Sequence, residues 1–232
     1  MNIFTILLMI FTAFFTASAV LEITAYNKKI KLLEHIAKPG IYVFLLLTSL
    51  MILIPRIPDS INIIIFLSIA LITGLAGSTL QFFPKTKKNL IIILSLFMTG
   101  FLCHLLLIAP SFRLFRAHPA VAITFLLIYA ATLFFYYKYC IGKRNHIKTA
   151  CIIVYLAPLL FLHYGTVITL CGQPRLYSAL LFTGATVSIA SQGLIIRGFF
   201  SKTSERERLL RMILYIAGQF FVTAGYTLMV SF

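Results

Sequence analysis

Eight long apolar stretches, separated by polar segments whose charge alternates along the chain, constrain this sequence more than anything else in it. They run over roughly 2–21, 39–55, 61–83, 90–109, 119–137, 147–170, 176–196 and 212–232. About 20 apolar residues in a helix cross a hydrocarbon core of about 30 Å, and most of the stretches reach that length. A soluble chain of 232 residues does not hide a composition that is 61% hydrophobic and 11% charged. In lipid the backbone must satisfy its own polar groups, which leaves helices or a closed barrel. Runs such as 61–70 and 90–96 lack the alternation of a barrel strand. The expected fold is therefore all-α: a polytopic bundle of eight transmembrane helices, forming a single transmembrane domain over 1–232.

The net charge of +15 is unevenly spread. The connecting segments 22–38, 84–89, 138–148 and 197–211 hold sixteen of the twenty Lys and Arg residues, including all eleven lysines. Arg56, Arg113, Arg116 and Arg175 are the four on the opposite side. That split predicts an integral, multi-pass cell-membrane protein with cytoplasmic basic loops and both termini on the outer side. The basic excess then reports topology and attraction to anionic headgroups. The lipid bilayer is the expected partner. Nucleic acid is not, because no basic patch is interleaved with exposed aromatics. Ala17-Ser18-Ala19 looks like a signal-peptide cleavage site, but Lys28, Lys29 and Lys31 follow the apolar run and no basic residue precedes it. A retained first helix is expected.

Cys103, Cys140, Cys151 and Cys171 show no metal-ligand spacing, and no metal or cofactor is expected. Cys103 and Cys171 both lie toward the outer side and are able to pair, although helix packing is the preferred reading of both. Cys103 and His104, as neighbours on a helix, point about 100° apart and do not form a nucleophile pair. Pro84 and Pro174 fall in connections, Pro39 and Pro119 at helix starts, and Pro158 inside the sixth span. Ser204-Glu205-Arg206-Glu207 has the pattern of a capping box opening the last helix, with Glu207 and Arg211 one turn apart. Ser78 and Gln192 are 114 residues apart, and His104 and Gln219 are 115 apart. This spacing is that of two parallel four-helix halves, 1–112 and 113–232, though so restricted an alphabet also produces such matches by chance.

Charged residues nearly vanish from the expected membrane core. The five acids, Glu22, Glu34, Asp59, Glu205 and Glu207, all fall outside the middle of a span, with Glu22 and Lys38 at the inner ends of the first two helices. Arg197, at the inner end of the seventh helix, is placed to snorkel. His104 and His163 are the two histidines inside spans, whereas His35, His118 and His146 read as loop residues. An ionisable group inside a membrane is a functional candidate because burying it is costly. A neutral imidazole bonded between helices is the structural alternative. Ser78, Gln192 and Gln219 fall in the inner halves of their helices, near Gly74, Gly77, Gly184, Gly193 and Gly218. They read either as glue between helices or as the lining of a small polar cavity.

These residues also carry a family resemblance. Lys38-Pro39, Gly74-Leu75-Ala76-Gly77-Ser78-Thr79-Leu80, Gly100-Phe101-Leu102-Cys103-His104, Tyr155, Gly184-Ala185 with Ser191-Gln192 and Leu194, and Tyr215 with Gln219 resemble the motifs of the YhhN family of eight-span proteins, which includes the lysoplasmalogenases. Three positions depart from it. Ser78 and Gln192 occupy positions where the family pattern has aspartates, and Leu107 stands where a tyrosine is expected. The resemblance implies hydrolysis of the vinyl-ether bond of lysoplasmalogens: protonation of an alkenyl carbon, then attack by water on an oxocarbenium-like cation. A carboxyl group suits both steps, as in glycosidases. Serine and glutamine offer no such acid at neutral pH.

The implied catalytic positions are His104, Ser78 and Gln192, with His104 the remaining proton donor. The implied substrate-binding positions are Lys38, Tyr155, Tyr215 and Gln219, for a lysophospholipid-like molecule. Two alternatives stand beside the enzyme. One is a non-catalytic lysolipid binder, with Lys38 near the phosphate and Gln192 and Gln219 as donors. The other is a small transporter built from two halves, for which no paired intramembrane acids offer a proton relay.

Overall fold

The computed structural model describes residues 3–83, 86–110, 119–136, 146–200 and 204–230. Those residues form eight helices: α1 (Ile3–Lys28), α2 (Lys31–Leu53), α3 (Ile61–Leu80), α4 (Lys87–Ile108), α5 (Pro119–Tyr136), α6 (His146–Gly172), α7 (Leu176–Phe200) and α8 (Glu205–Met229). A 3-10 turn, Ile54–Arg56, follows α2. Among the described residues seven helices are long and apolar enough to cross a membrane. The remaining one, α5, runs for 18 residues without a charge. The chain is an all-helical, multi-pass membrane bundle, as its hydropathy requires.

Several helices extend beyond the apolar runs. Segment 22–38 is not a long connection: α1 continues to Lys28 and α2 starts at Lys31. The turn between them is a Schellman motif. Lys29 takes the left-handed conformation (φ 58°), its N–H bonds to the Tyr26 carbonyl, and the Ile30 N–H reaches the Ala25 carbonyl. Pro39 consequently lies inside α2 rather than at its start. A proline there loses one backbone bond, a cost membrane helices tolerate when neighbouring helices re-satisfy the freed groups. His35 is likewise a helical residue, set edge-on against Phe82 with ring centres 4.1 Å apart.

The last helix also starts before its apolar run, because the capping box expected at Ser204 forms. The Ser204 hydroxyl accepts from the Glu207 N–H, and the Glu207 carboxylate accepts from the Ser204 N–H. Thr86 caps α4 by accepting from the Asn89 N–H. Pro119 opens α5, and Pro158 lies within α6. The Cys103 and Cys171 thiols are free, one buried and one exposed. Pro84, Lys85, Arg113, Arg116, His118, Lys138, Cys140, Lys143, Arg144 and Lys202 lie outside the described residues, as do the side chains of Cys151 and Arg197.

Packing is closest between α7 and α8, α1 and α2, and α3 and α4, with α6 set against α4 and α7. The shared core includes Leu53, Leu67, Leu71, Ile108, Leu159, Leu181 and Tyr226, all buried. Ile65, Leu106, Leu126 and Phe161 are among the large apolar side chains that face outward, as lipid contact demands. The α1–α2 turn, the end of α3 and the start of α8 meet at one end, hereafter the basic end. There Lys29 pairs with Glu205 at 2.8 Å and Lys38 bonds to Gln81.

Between lipid-solvated helices there is little hydrophobic drive to associate, so close backbone approach through small residues takes its place. At Gly184 an added Cβ would stand 2.6 Å from the Val222 backbone nitrogen, and at Gly218 it would stand 2.5 Å from the Ser188 hydroxyl. The backbone cannot step aside as a hydroxyl can. We predict that Gly184→Ala costs about 1–3 kcal/mol through overpacking and that Gly218→Ala costs less. Thermal unfolding of the purified protein in detergent measures both.

Candidate functional site

Polar side chains that reach from one helix to another gather along the seam of α2, α3, α4 and α8, with α6 and α7 at its flank. The seam starts at the basic end. The Lys38 ammonium donates to Gln81 Oε1 at 2.9 Å and lies 5.4 Å from the centre of the Phe82 ring. One turn further along α2, the hydroxyl of buried Tyr42 is hydrogen-bonded to the Tyr215 hydroxyl of α8. Gly74 makes this possible, because a Cβ there would stand 2.5 Å from Tyr42 Cε1.

Beyond the tyrosine pair lies a cavity of about 10 Å³, room for one water molecule. Ala70, Gly74 and Gly100 leave the space, Phe97 and Phe101 wall it, and His104, Tyr215 and Gln219 supply its polar atoms. His104 is 4% exposed and its Nδ1 is buried without a hydrogen-bond partner. Its ring stacks on Tyr226 at 5.4 Å between centres and 3° between planes. The Tyr226 hydroxyl donates to the His104 carbonyl at 2.7 Å, fixing α8 to α4 at this level. A histidine that lines a water-sized space and carries an unpartnered ring nitrogen has the chemistry to hold a water or exchange a proton with one.

Of the residues singled out from sequence, His104, Tyr215 and Gln219 share the cavity. Tyr155 and Gln192 form a buried pair beside it: the Tyr155 hydroxyl donates to Gln192 Oε1 at 2.7 Å, and the Tyr155 ring sits edge-on to Phe101 of the cavity wall. Ser78 is fully buried one turn from Gly74, and its hydroxyl bonds back to the Leu75 carbonyl at 2.8 Å. Neither Ser78 nor Gln192 lines the cavity. Lys38 lies at the basic end of the seam.

His163 belongs to a separate network, where Tyr129 meets Nδ1 and the Thr186 hydroxyl meets Nε2 at 3.0 Å. With both nitrogens engaged it ties α5, α6 and α7 together, the structural role that its position in a span left open.

Sequence reasoning passed over Tyr42, Tyr226, Gln81 and Glu22. Tyr42 follows Lys38 by one helical turn, and Tyr226 continues the stripe of Tyr215, Gln219 and Val222 along α8, so the 3.6-residue period contained both. Glu22 was expected at a helix end. It is instead 1% exposed, because α1 continues beyond it.

The Tyr155–Gln192 pair invites a test. Tyr155→Phe leaves a buried amide oxygen without its donor and is predicted to destabilise the protein by about 1 kcal/mol. Adding Gln192→Leu removes the acceptor as well and should recover part of that loss in thermal unfolding. Additive losses would contradict the pairing.

The model of the YhhN family matches residues 33–226, and the chain belongs to that family. No curated protein and no solved structure shows significant similarity to it.

Proposed function

Starting from membership of the YhhN family, we propose that this membrane protein binds lysoplasmalogen-type lysolipids at the polar seam and retains little of the vinyl-ether hydrolysis seen in lysoplasmalogenases. The observation that carries the reading is a polar set, buried His104 with half-buried Tyr215 and Gln219, around a water-sized cavity with no carboxyl group in its lining. Hydrolysis must add a proton to the alkenyl carbon, stabilise the resulting oxocarbenium and add water to it, releasing an aldehyde and a glycerophospho-alcohol. Ser78 spends its hydroxyl on its own helix, and Gln192 accepts from Tyr155. Removing an acid–base group costs roughly 10²–10⁴-fold in rate, and two such positions lack one.

A second reading, slow hydrolysis, is favoured by a specific feature. His104 Nδ1 has no partner, and His104 lines the cavity together with Gln219. In that reading His104 carries the proton and the trapped water is the nucleophile. The cavity has the volume of a water rather than of a lipid, so a lysolipid reaches His104 only as side chains around the cavity move. Tyr215, half-buried and held by Tyr42, is one of those lining side chains.

The test supplies alkenyl lysophospholipid to purified protein and follows both binding and aldehyde release. Saturable binding with little or no aldehyde is the expected result. Aldehyde release abolished by His104→Ala establishes the second reading instead, and absence of saturable binding refutes both. Ser78→Asp with Gln192→Asp should raise aldehyde release, since it restores carboxyls where the family pattern has them.

We also propose that the basic end faces the cytoplasm, on the strength of the lysine distribution. Exposed Cys171, at the opposite end of α6, should then react in intact cells with a membrane-impermeant maleimide when it is the sole cysteine. Labelling only after permeabilisation would reverse the orientation.

A further inference from the structure

At the basic end, four side chains from α2 and the end of α3 form a cluster that the site as described leaves mostly unused. His35 and Lys38 are three residues apart on α2, so they are neighbours on its surface. Phe82, just past the end of α3, joins them. The His35 ring stands edge-on to Phe82, with centres 4.1 Å apart and 64° between planes, and the Lys38 ammonium lies 5.4 Å from the centre of the same ring. Gln81 completes the group. It caps α3, its N–H bonding to the Ser78 and Thr79 carbonyls, and its Oε1 accepts from Lys38 at 2.9 Å.

What the cluster offers is mostly hydrogen-bond donors. An ammonium has three N–H bonds, and Lys38 spends one on Gln81. With its oxygen engaged, Gln81 presents its amide NH2 group, and the exposed His35 ring carries an N–H in either tautomer. Among the described residues no carboxylate lies within ion-pair distance of Lys38, and that includes Glu34, one turn earlier on α2. A half-buried ammonium bonded to a neutral amide is best answered by an anion. The cluster also sits where α3 ends, at the level of the headgroups rather than of the hydrocarbon. From Lys38, four residues of α2, about 6 Å of helix rise, lead inward to Tyr42 and the seam. We propose that His35 is a specificity-determining residue of the site: with Lys38 it grips the phosphate of a lysolipid headgroup at the mouth of the seam, and the Phe82 ring holds the two side chains in register. That the phosphate belongs to a lysolipid rests on the function proposed above.

The test measures binding to the full chain purified in detergent. One ligand is an alkyl-ether lysophosphoethanolamine, which has no vinyl ether to cleave. The other is a monoalkylglycerol with the same chain and no phosphate. His35→Leu keeps an apolar side chain against Phe82 and removes the donor. It should weaken the first ligand roughly tenfold, the worth of a hydrogen bond to a charged group, and leave the second within about twofold. His35→Arg supplies a donor suited to phosphate and should bring the first ligand back to within about threefold of the unaltered protein. His35→Gln, a smaller donor, serves the same purpose if the arginine variant lowers the thermal midpoint.

Equal weakening of both ligands by His35→Leu would reduce His35 to a packing residue, and no weakening of either would remove it from the headgroup. Both results overturn the proposal and leave the lysolipid reading standing, as does a folded donor variant that fails to recover binding. Glycerophosphoethanolamine, the same phosphate without a chain, separates a lipid ligand from a soluble phosphate ester. It should bind more weakly than the lysolipid, and equal affinity overturns the lipid assignment. If the unaltered protein binds no lysolipid at all, the function proposed above falls and the role of His35 falls with it.

Discussion

Hydrocarbon offers no water to a polar group, and that single fact orders the side chains of this bundle. Most hydroxyls answer it locally. Thr12, Thr16, Thr24, Thr48, Thr79 and Thr99 each bond to the carbonyl four residues earlier on their own helix, so they ask nothing of a neighbour. A smaller set reaches across: Tyr42 to Tyr215, Tyr155 to Gln192, Tyr226 to the His104 carbonyl, Lys38 to Gln81, and the Ser191 hydroxyl to the Arg211 carbonyl. These lie along the seam and its flank, apart from the His163 network that ties α5, α6 and α7. The demand is left unmet at Glu22 Oε2 on α1, His104 Nδ1 on α4 and Thr223 Oγ1 on α8.

Glycine places that seam. A bundle in lipid holds together by fit rather than by exclusion of water. Gly184, Gly218 and Gly225 bring α7 and α8 so close that side chains would collide with backbone or core atoms. Gly74 does the corresponding work for the Tyr42–Tyr215 contact, since the Tyr42 ring occupies the space its missing Cβ leaves. Small residues thus bring α7 against α8 and, at Gly74, leave room for the Tyr42 ring beside the cavity.

Much of this was legible in the chain itself. Hydropathy and lysine placement specify the helices, because both follow from transfer free energies that act residue by residue. The family motifs likewise bring Tyr215, Gln219 and His104 to one cavity. What hydropathy hid was depth. The first charge after an apolar run looks like the membrane edge, yet α1 runs on past Glu22 to Lys28, and α2 is already helical for two turns before Pro39. Helix hydrogen bonds persist through the interface, and long charged side chains bend toward water, so charge marks where side chains end rather than where helices do. Glu22 was therefore misplaced by composition and relocated by packing.

The account holds that a lysolipid sits at a polar seam enclosed by α2, α3, α4 and α8, not on the outer wall of the bundle. Photo-crosslinking measures this most directly. An alkyl lysophosphoethanolamine bearing a diazirine next to its glycerol is irradiated with the reconstituted protein, and the labelled peptides are identified by mass spectrometry. The account predicts adducts on residues of α2, α4 and α8 around Tyr42, His104 and Tyr215, competed by unlabelled lysolipid. Adducts confined to outward residues such as Ile65, Leu106 and Phe161, and indifferent to competitor, would contradict it.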